Sequence, residues 1–221
     1  MLNGIKGILF DLDNTLIDRQ QAALHCMQAI VDHYLPQLKD QPMERENAIQ
    51  CLMNWDEYGT VNKTHVFGSF CQKFDLPEET AEELKIFWSE KFGNYTVPFK
   101  TSREVVEKLR TKYKVGIVTN GLASMQRRKL EICDFDELFD TILVSGEFGK
   151  HKPDVSIFLE GACKLGLRPE EIAFVGDTFA TDIIGAYRAG MQPIWIFSDR
   201  SRQAQADITR IYNIEELLEI L

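Results

Sequence analysis

Beyond Pro98 the chain alternates between two periodicities, and that alternation restricts it to very few folds. Short apolar runs at Lys114–Thr119, Thr141–Val144, Ile172–Gly176 and Gln192–Phe197 predict strands. Between them, apolar residues at helical spacing predict helices over Ser102–Thr111, Ser124–Cys133, Asp154–Leu165 and Thr181–Ala189, the last closed by Gly190. One more apolar run, Ile5–Phe10, stops at Asp11, which predicts a buried strand with an acid at its carboxyl end. Strands alternating with helices bury both faces of a parallel sheet. The predicted class is therefore α/β, with a Rossmann-like doubly wound parallel sheet core.

Between the first strand and this alternation lies a stretch of a different kind. Ala23, Met27, Ile30, Val31 and Tyr34 recur on one helical face; Pro77 with Glu78 and Glu79 marks a second helix start, and Leu84, Phe87, Trp88 and Phe92 form its apolar stripe. The expected organisation is a sheet core from residues 1–18 and 97–221, interrupted by a small all-helical insert over residues 19–96. A length of 221 residues suits one such core of about 150 residues plus an insert. Asp199–Ala206 reads as a polar loop and Ile214–Leu221 as a last short helix.

Charge and cysteine usage narrow the partners. The chain carries 25 basic against 34 acidic residues, a net charge of −9, which repels a phosphate backbone and argues against a nucleic acid polymer. Cys26, Cys51, Cys71, Cys133 and Cys163 include no CxxC pair and are odd in number, so a disulfide framework and a zinc ribbon are not expected; reduced thiols in the cytoplasm are. No apolar run approaches the ~18 to 20 residues of a membrane span, and Met1–Phe10 runs into Asp11 and Asp13 without a cleavage site. The expectation is a soluble protein with no membrane partner, as monomer or homodimer.

In a doubly wound sheet, ligands gather at the carboxyl ends of the strands. There the sequence places Asp11, Asp13, Asn14 and Thr15 after the first strand, Thr119, Asn120 and Gly121 after the second, and Gly176, Asp177 and Asp182 after the strand that ends near Val175. Lys152 precedes a helix between the last two groups. Carboxylates, an amine, a hydroxyl and backbone amides are the parts of a Mg²⁺-assisted phosphoryl transfer.

FDLDNTL (Phe10–Leu16), IVTNG (Ile117–Gly121), GKHKPDVSIF (Gly149–Phe158) and VGDTFATD (Val175–Asp182) resemble, in order and placement, the four motifs of the haloacid dehalogenase-like hydrolase superfamily. The resemblance covers the whole chain, and the helical insert resembles the family's cap. It implies that Asp11 is the nucleophile that forms an aspartyl phosphate, and that Asp13 protonates the leaving alcohol and then activates water. It also implies that Thr119 and Asn120 donate to the phosphoryl group and that Lys152, rather than Lys150, neutralises its charge. Mg²⁺ would be held by Asp11, the Asp13 carbonyl and Asp177. Asp182 could bind the metal through water, orient Lys152 or cap the following helix; His151 reads as a surface residue. Asn14 stands where many relatives have Gly.

The carboxylate at Asp13 favours a phosphatase over a dehalogenase, since the dehalogenases resemble this pattern without it. A cap excludes polymers, so the implied substrate is a small phosphorylated metabolite, a nucleoside monophosphate or a sugar phosphate. The alternatives are a phosphomutase of the same superfamily and a non-catalytic sensor of such a metabolite. Trp55, Asp56, Glu57, Tyr58 and Gly59 read as cap core plus a solvated turn, or else as a loop whose aromatic faces suit a nucleobase and whose carboxylates suit sugar hydroxyls.

Overall fold

Gly7–Phe10, with every residue buried, forms β1, the strand around which the sheet is assembled. In the computed structural model, which describes residues 4–196 and 208–221, β2 (Lys114–Thr119), β3 (Thr141–Val144), β4 (Ile172–Gly176), β5 (Gln192–Ile196) and β6 (Thr209–Ile211) join it in the order β3-β2-β1-β4-β5-β6. All neighbours are parallel. The order reverses direction at β1, and Phe10 lies opposite Ile117 of β2 on one side and Val175 of β4 on the other. Asp11 N–H donates to the Val175 carbonyl at 2.8 Å, so the first residue beyond β1 is still fixed by the ladder.

The chain divides into two compact units, one of Met1–Asp18 and Pro98–Leu221, the other of Arg19–Val97. The second contains α1 (Arg19–Tyr34), α2 (Pro42–Asp56), α3 (Lys63–Lys73) and α4 (Thr80–Lys91). The first contains, besides the sheet, α5 (Ser102–Leu109), α6 (Ala123–Ile132), α7 (Ser145–Phe148), α8 (Val155–Leu165), α9 (Ile184–Arg188) and α10 (Leu217–Ile220). Alternate residues of β1 face opposite layers: Ile8 and Phe10 pack with Val106, Leu109, Leu130 and Phe135, while Leu9 packs with Phe158, Ala162 and Phe174. This explains why the strand reads as a continuous apolar run rather than an alternating one.

α8 shows both ends of a helix specified locally. The Asp154 carboxylate accepts from Ser156 N–H at 2.9 Å, and Gly166 closes the helix at φ 64°. Elsewhere the boundaries move. Pro77 opens a turn, in which Thr80 N–H donates to the Pro77 carbonyl at 3.0 Å, and α4 begins only at Thr80. The stretch read as one helix over Thr181–Ala189 is a π turn, Phe179–Ile183, followed by α9. The three-residue edge strand β6 carries too little apolar periodicity to be read from sequence. Phe197 and the loop read at Asp199–Ala206 lie outside the described residues.

In the Arg19–Val97 unit, α1 buries Ala22, Ala23, Cys26, Met27, Ile30 and Val31, and Trp88 stacks on Phe92 with centroids 4.1 Å apart. Its core also encloses charge. Asp56 is 1% exposed and accepts from Arg19 at 2.8 Å and Lys63 at 2.6 Å. The segment read as core plus solvated turn therefore divides within itself: Asp56 is a buried ionic node, while Tyr58, at φ 59°, is 72% exposed. Among the described residues no helix is long and apolar enough to cross a membrane.

Candidate active site

The strand ends bring together the residues expected from sequence, and the side-chain contacts order them into two groups. The first centres on Lys152, which is buried and reaches the Asp11 carboxylate at 2.5 Å and that of Asp182 at 2.7 Å. Its ammonium also lies 5.5 Å from the centroid of the Phe174 ring. Lys150 and His151, its neighbours in sequence, are exposed. Asp182 is held from a second side, accepting the N–H of Thr178 at 3.0 Å. That bond reaches four residues back, to the residue before the π turn, and does not cap α9. Gly176 makes room for this arrangement, because a Cβ there would lie 2.5 Å from the Asp182 Cβ.

Asp177 follows β4. Its carboxylate accepts from the Thr178 hydroxyl at 3.0 Å and from the Asn14 side chain, and its carbonyl accepts from Trp195 Nε1 at 2.8 Å. Asn14 adopts φ 59°, a left-handed conformation that Gly and Asn take most readily. Asn, unlike Gly, also supplies a donor to Asp177, which gives the departure from the family's glycine a physical reason.

Oxygens of Asp11, Asp177 and Asp182 lie within 4.8 Å of one another. Burial pushes the Asp11 carboxyl well above the ordinary carboxylate range; Lys152 opposes this, and Asp182 and Asp177 add to it. Asp177 is pushed up to about 6, first by burial and then by the charge of Asp182. Burial works against the charge of Lys152 as well, but Asp11 and Asp182 more than offset it and raise its pKa. Three clustered carboxylates facing one ammonium leave an excess of negative charge, and all the donors are hard oxygens. That set fits a divalent cation such as Mg²⁺.

The second group centres on Asp13. Lys129 Nζ contacts both of its carboxylate oxygens at 2.7 Å, and Gln126 Nε2 donates to Oδ2 at 3.0 Å. The same Gln126 nitrogen donates to the Thr119 hydroxyl at 2.6 Å. Gln126 and Lys129 are 1% and 2% exposed, and sequence reasoning missed both. The only trace of them in the sequence is a pair of polar residues three apart on the face of α6 that also carries Leu130. Gly121, at φ 149°, lets this helix approach: a Cβ there would stand 3.0 Å from the Gln126 side chain.

The side chain of Asn120 is aimed elsewhere. Its Oδ1 accepts from Lys152 N–H at 2.8 Å and its Nδ2 donates to the Lys152 carbonyl at 3.0 Å, so the amide fixes the backbone that carries the buried lysine.

Comparison with known proteins agrees with this geometry. The family model described as haloacid dehalogenase-like hydrolase matches residues 8–196. A glyceraldehyde 3-phosphate phosphatase from Methanothermobacter thermautotrophicus is 30% identical, over 98% of this chain and 100% of that protein. The human N-acylneuraminate-9-phosphatase is 26% identical, over 99% of this chain and 93% of its own. Among solved structures, a phosphatase from Thermococcus onnurineus superposes with a TM-score of 0.68 at 28% identity, covering 98% of this chain and 97% of that one. With its strand-end carboxylates, its buried lysine and these relatives, the chain belongs to the haloacid dehalogenase-like hydrolases.

Proposed function

We propose that the protein is a Mg²⁺-dependent phosphatase that hydrolyses small phosphate monoesters through a phosphorylated Asp11. The reading is supported most by one observation: Asp11 stands at a fixed strand end, within 4.8 Å of Asp177 and Asp182 and paired to a buried lysine. Asp11, the Asp13 carbonyl and Asp177 would hold the cation, which when bound screens the phosphoryl charge and keeps these carboxylates ionised.

An Asp11 oxygen attacks phosphorus as the bond to the leaving oxygen breaks, and Asp13 gives that oxygen its proton. Asp13, now a carboxylate, takes a proton from water; the water oxygen attacks phosphorus, the bond to Asp11 breaks and inorganic phosphate leaves. Lys152 balances charge on the phosphoryl oxygens throughout. Thr119 accepts a hydrogen bond from Gln126, which leaves its own O–H free to donate to the phosphoryl group. Because the Asn120 side chain is engaged with Lys152, its contribution would come from its main chain. Relatives named glyceraldehyde 3-phosphate phosphatase and N-acylneuraminate-9-phosphatase support a small phosphorylated metabolite as the substrate.

The test is phosphate release from a panel of triose, sugar and nucleoside monophosphates with Mg²⁺ and with chelator. Wild-type release that disappears in Asp11→Asn and in chelator is the expected result. Full turnover by Asp11→Asn would overturn the mechanism, and isomerised sugar phosphate without free phosphate would point to a mutase.

A further inference from the structure

Gln126 and Lys129 are polar, buried and assigned no part by the four motifs. They lie three residues apart, which places them on one face of α6. That face meets Asp13, 116 residues away from Lys129 in sequence, with three contacts of 2.7, 2.7 and 3.0 Å. The carboxylate also settles the orientation of the Gln126 amide, since only its nitrogen can donate there. The same nitrogen bridges to Thr119, so one amide links the residue that handles the proton to the residue that faces the phosphoryl group.

Asp13 belongs to a short turn, where Asn14 N–H donates to the Ile17 carbonyl and Leu16 N–H to that of Leu12, both at 2.9 Å. A lysine and a glutamine rooted in a helix packed on the sheet hold the Asp13 carboxylate.

We infer that Gln126 and Lys129 are positioning residues, a two-pronged clamp that sets where the Asp13 carboxyl stands relative to the leaving oxygen. The inference rests on the phosphatase reading above and deepens it. The contacts to Asp13 act through Asp13, so losing them matters where Asp13 matters; Gln126 also holds the Thr119 hydroxyl, and the loss of that bond falls on every substrate. A leaving alkoxide needs that proton; a nitrophenolate leaves without it.

The experiment compares kcat/KM for an alkyl phosphate, glycerol 3-phosphate, and an aryl phosphate, p-nitrophenyl phosphate, in Lys129→Met, Gln126→Leu, Asp13→Asn and the double variants. General acid catalysis contributes about 10²- to 10⁴-fold, so loss of its aim should lower kcat/KM for the alkyl substrate by about 10- to 100-fold and for the aryl substrate by much less. In the Asp13→Asn background Lys129→Met should cause almost no further loss, the non-additivity of residues that act through one another, while Gln126→Leu keeps the part of its loss that comes through Thr119. Melting of each variant, and Lys129→Arg as the charge-conserving form, separate aim from fold. In Lys129→Met, equal losses on both substrates, or a loss that adds to that of Asp13→Asn, overturn the clamp. Neither result touches the phosphatase reading, which stands or falls on Asp11→Asn in the same assay.

Discussion

Replacing Asp177 with Asn should stabilise the metal-free protein while weakening its response to Mg²⁺. Asp177 is carried from 3.8 to about 6, roughly two pKa units at about 1.4 kcal/mol each, so its ionised form costs the fold on the order of 3 kcal/mol at neutral pH. Its folded value lies above its unfolded one. The fold is therefore favoured while the group is protonated, and that contribution is complete below about pH 4 and lost as pH rises through about 6. Asn keeps an oxygen to accept from Thr178 and carries no charge, and its NH₂ offers donors to the neighbouring carboxylates. For a chain of this size, about 3 kcal/mol corresponds to a rise in Tm of roughly 6 to 12 °C.

The assay is thermal melting in chelator from pH 4 to pH 8, followed by circular dichroism, with and without Mg²⁺. The difference between Asp177→Asn and wild type should be small near pH 4, grow to about pH 6 and then level off. Mg²⁺ should raise the wild type more than the variant above pH 6, because only the wild type offers the full carboxylate set. A variant that melts at or below wild type in chelator at pH 7.5, or a difference independent of pH, would refute the claim that burial and like charge strain this site.

Two further outcomes follow from packing. In Gly176→Ala the new Cβ meets Asp182, which Lys152 and the Thr178 N–H hold in place, so we expect about 1 to 3 kcal/mol of destabilisation. Phosphate release should fall on the order of 10²-fold as the Lys152 pairing shifts, and a steady-state assay with wild-type rates would show that Asp182 can yield. In Asp56→Asn, Arg19 and Lys63 lose the buried carboxylate they share, at a cost of about 3 to 5 kcal/mol; hydrogen exchange should show Arg19–Val97 opening earlier than in wild type, and unchanged protection would contradict the ionic node.

β1, β2 and β4 were legible because each announces itself twice, by an apolar run and by the acid, hydroxyl or glycine at its end. Ile172–Gly176 and Lys114–Thr119 have the bounds read from sequence, since a buried parallel strand cannot extend past a residue that needs a different environment. The helices between them were legible in place but not in detail. At Phe179–Ile183 the pull of Asp182 on the Thr178 N–H reshapes the turn, and no propensity scale carries a contact that depends on the folded strand ends. Asp56 shows the same limit in the insert, where an acid in a turn reads as solvated until two cations from α1 and α3 are found around it.

Site residues divide along the same line. Asp11, Asp13, Thr119, Lys152 and Asp177 sit at strand ends or helix starts, where local sequence alone places them. Gln126 and Lys129 sit mid-helix, where a polar residue reads by default as solvent-facing, and only the docking of α6 turns their side inward. Polar groups on a buried helix face are costly unless something across the contact pairs with them. Here the partners are an acid and a hydroxyl that the chain already needs for chemistry. A mid-helix glutamine and lysine shortly after a strand-end threonine are thus a signal of a different order from the motifs. Their meaning appears once the strand order is known, because β2 lies beside β1 and brings the helix that follows it against the turn that carries Asp13.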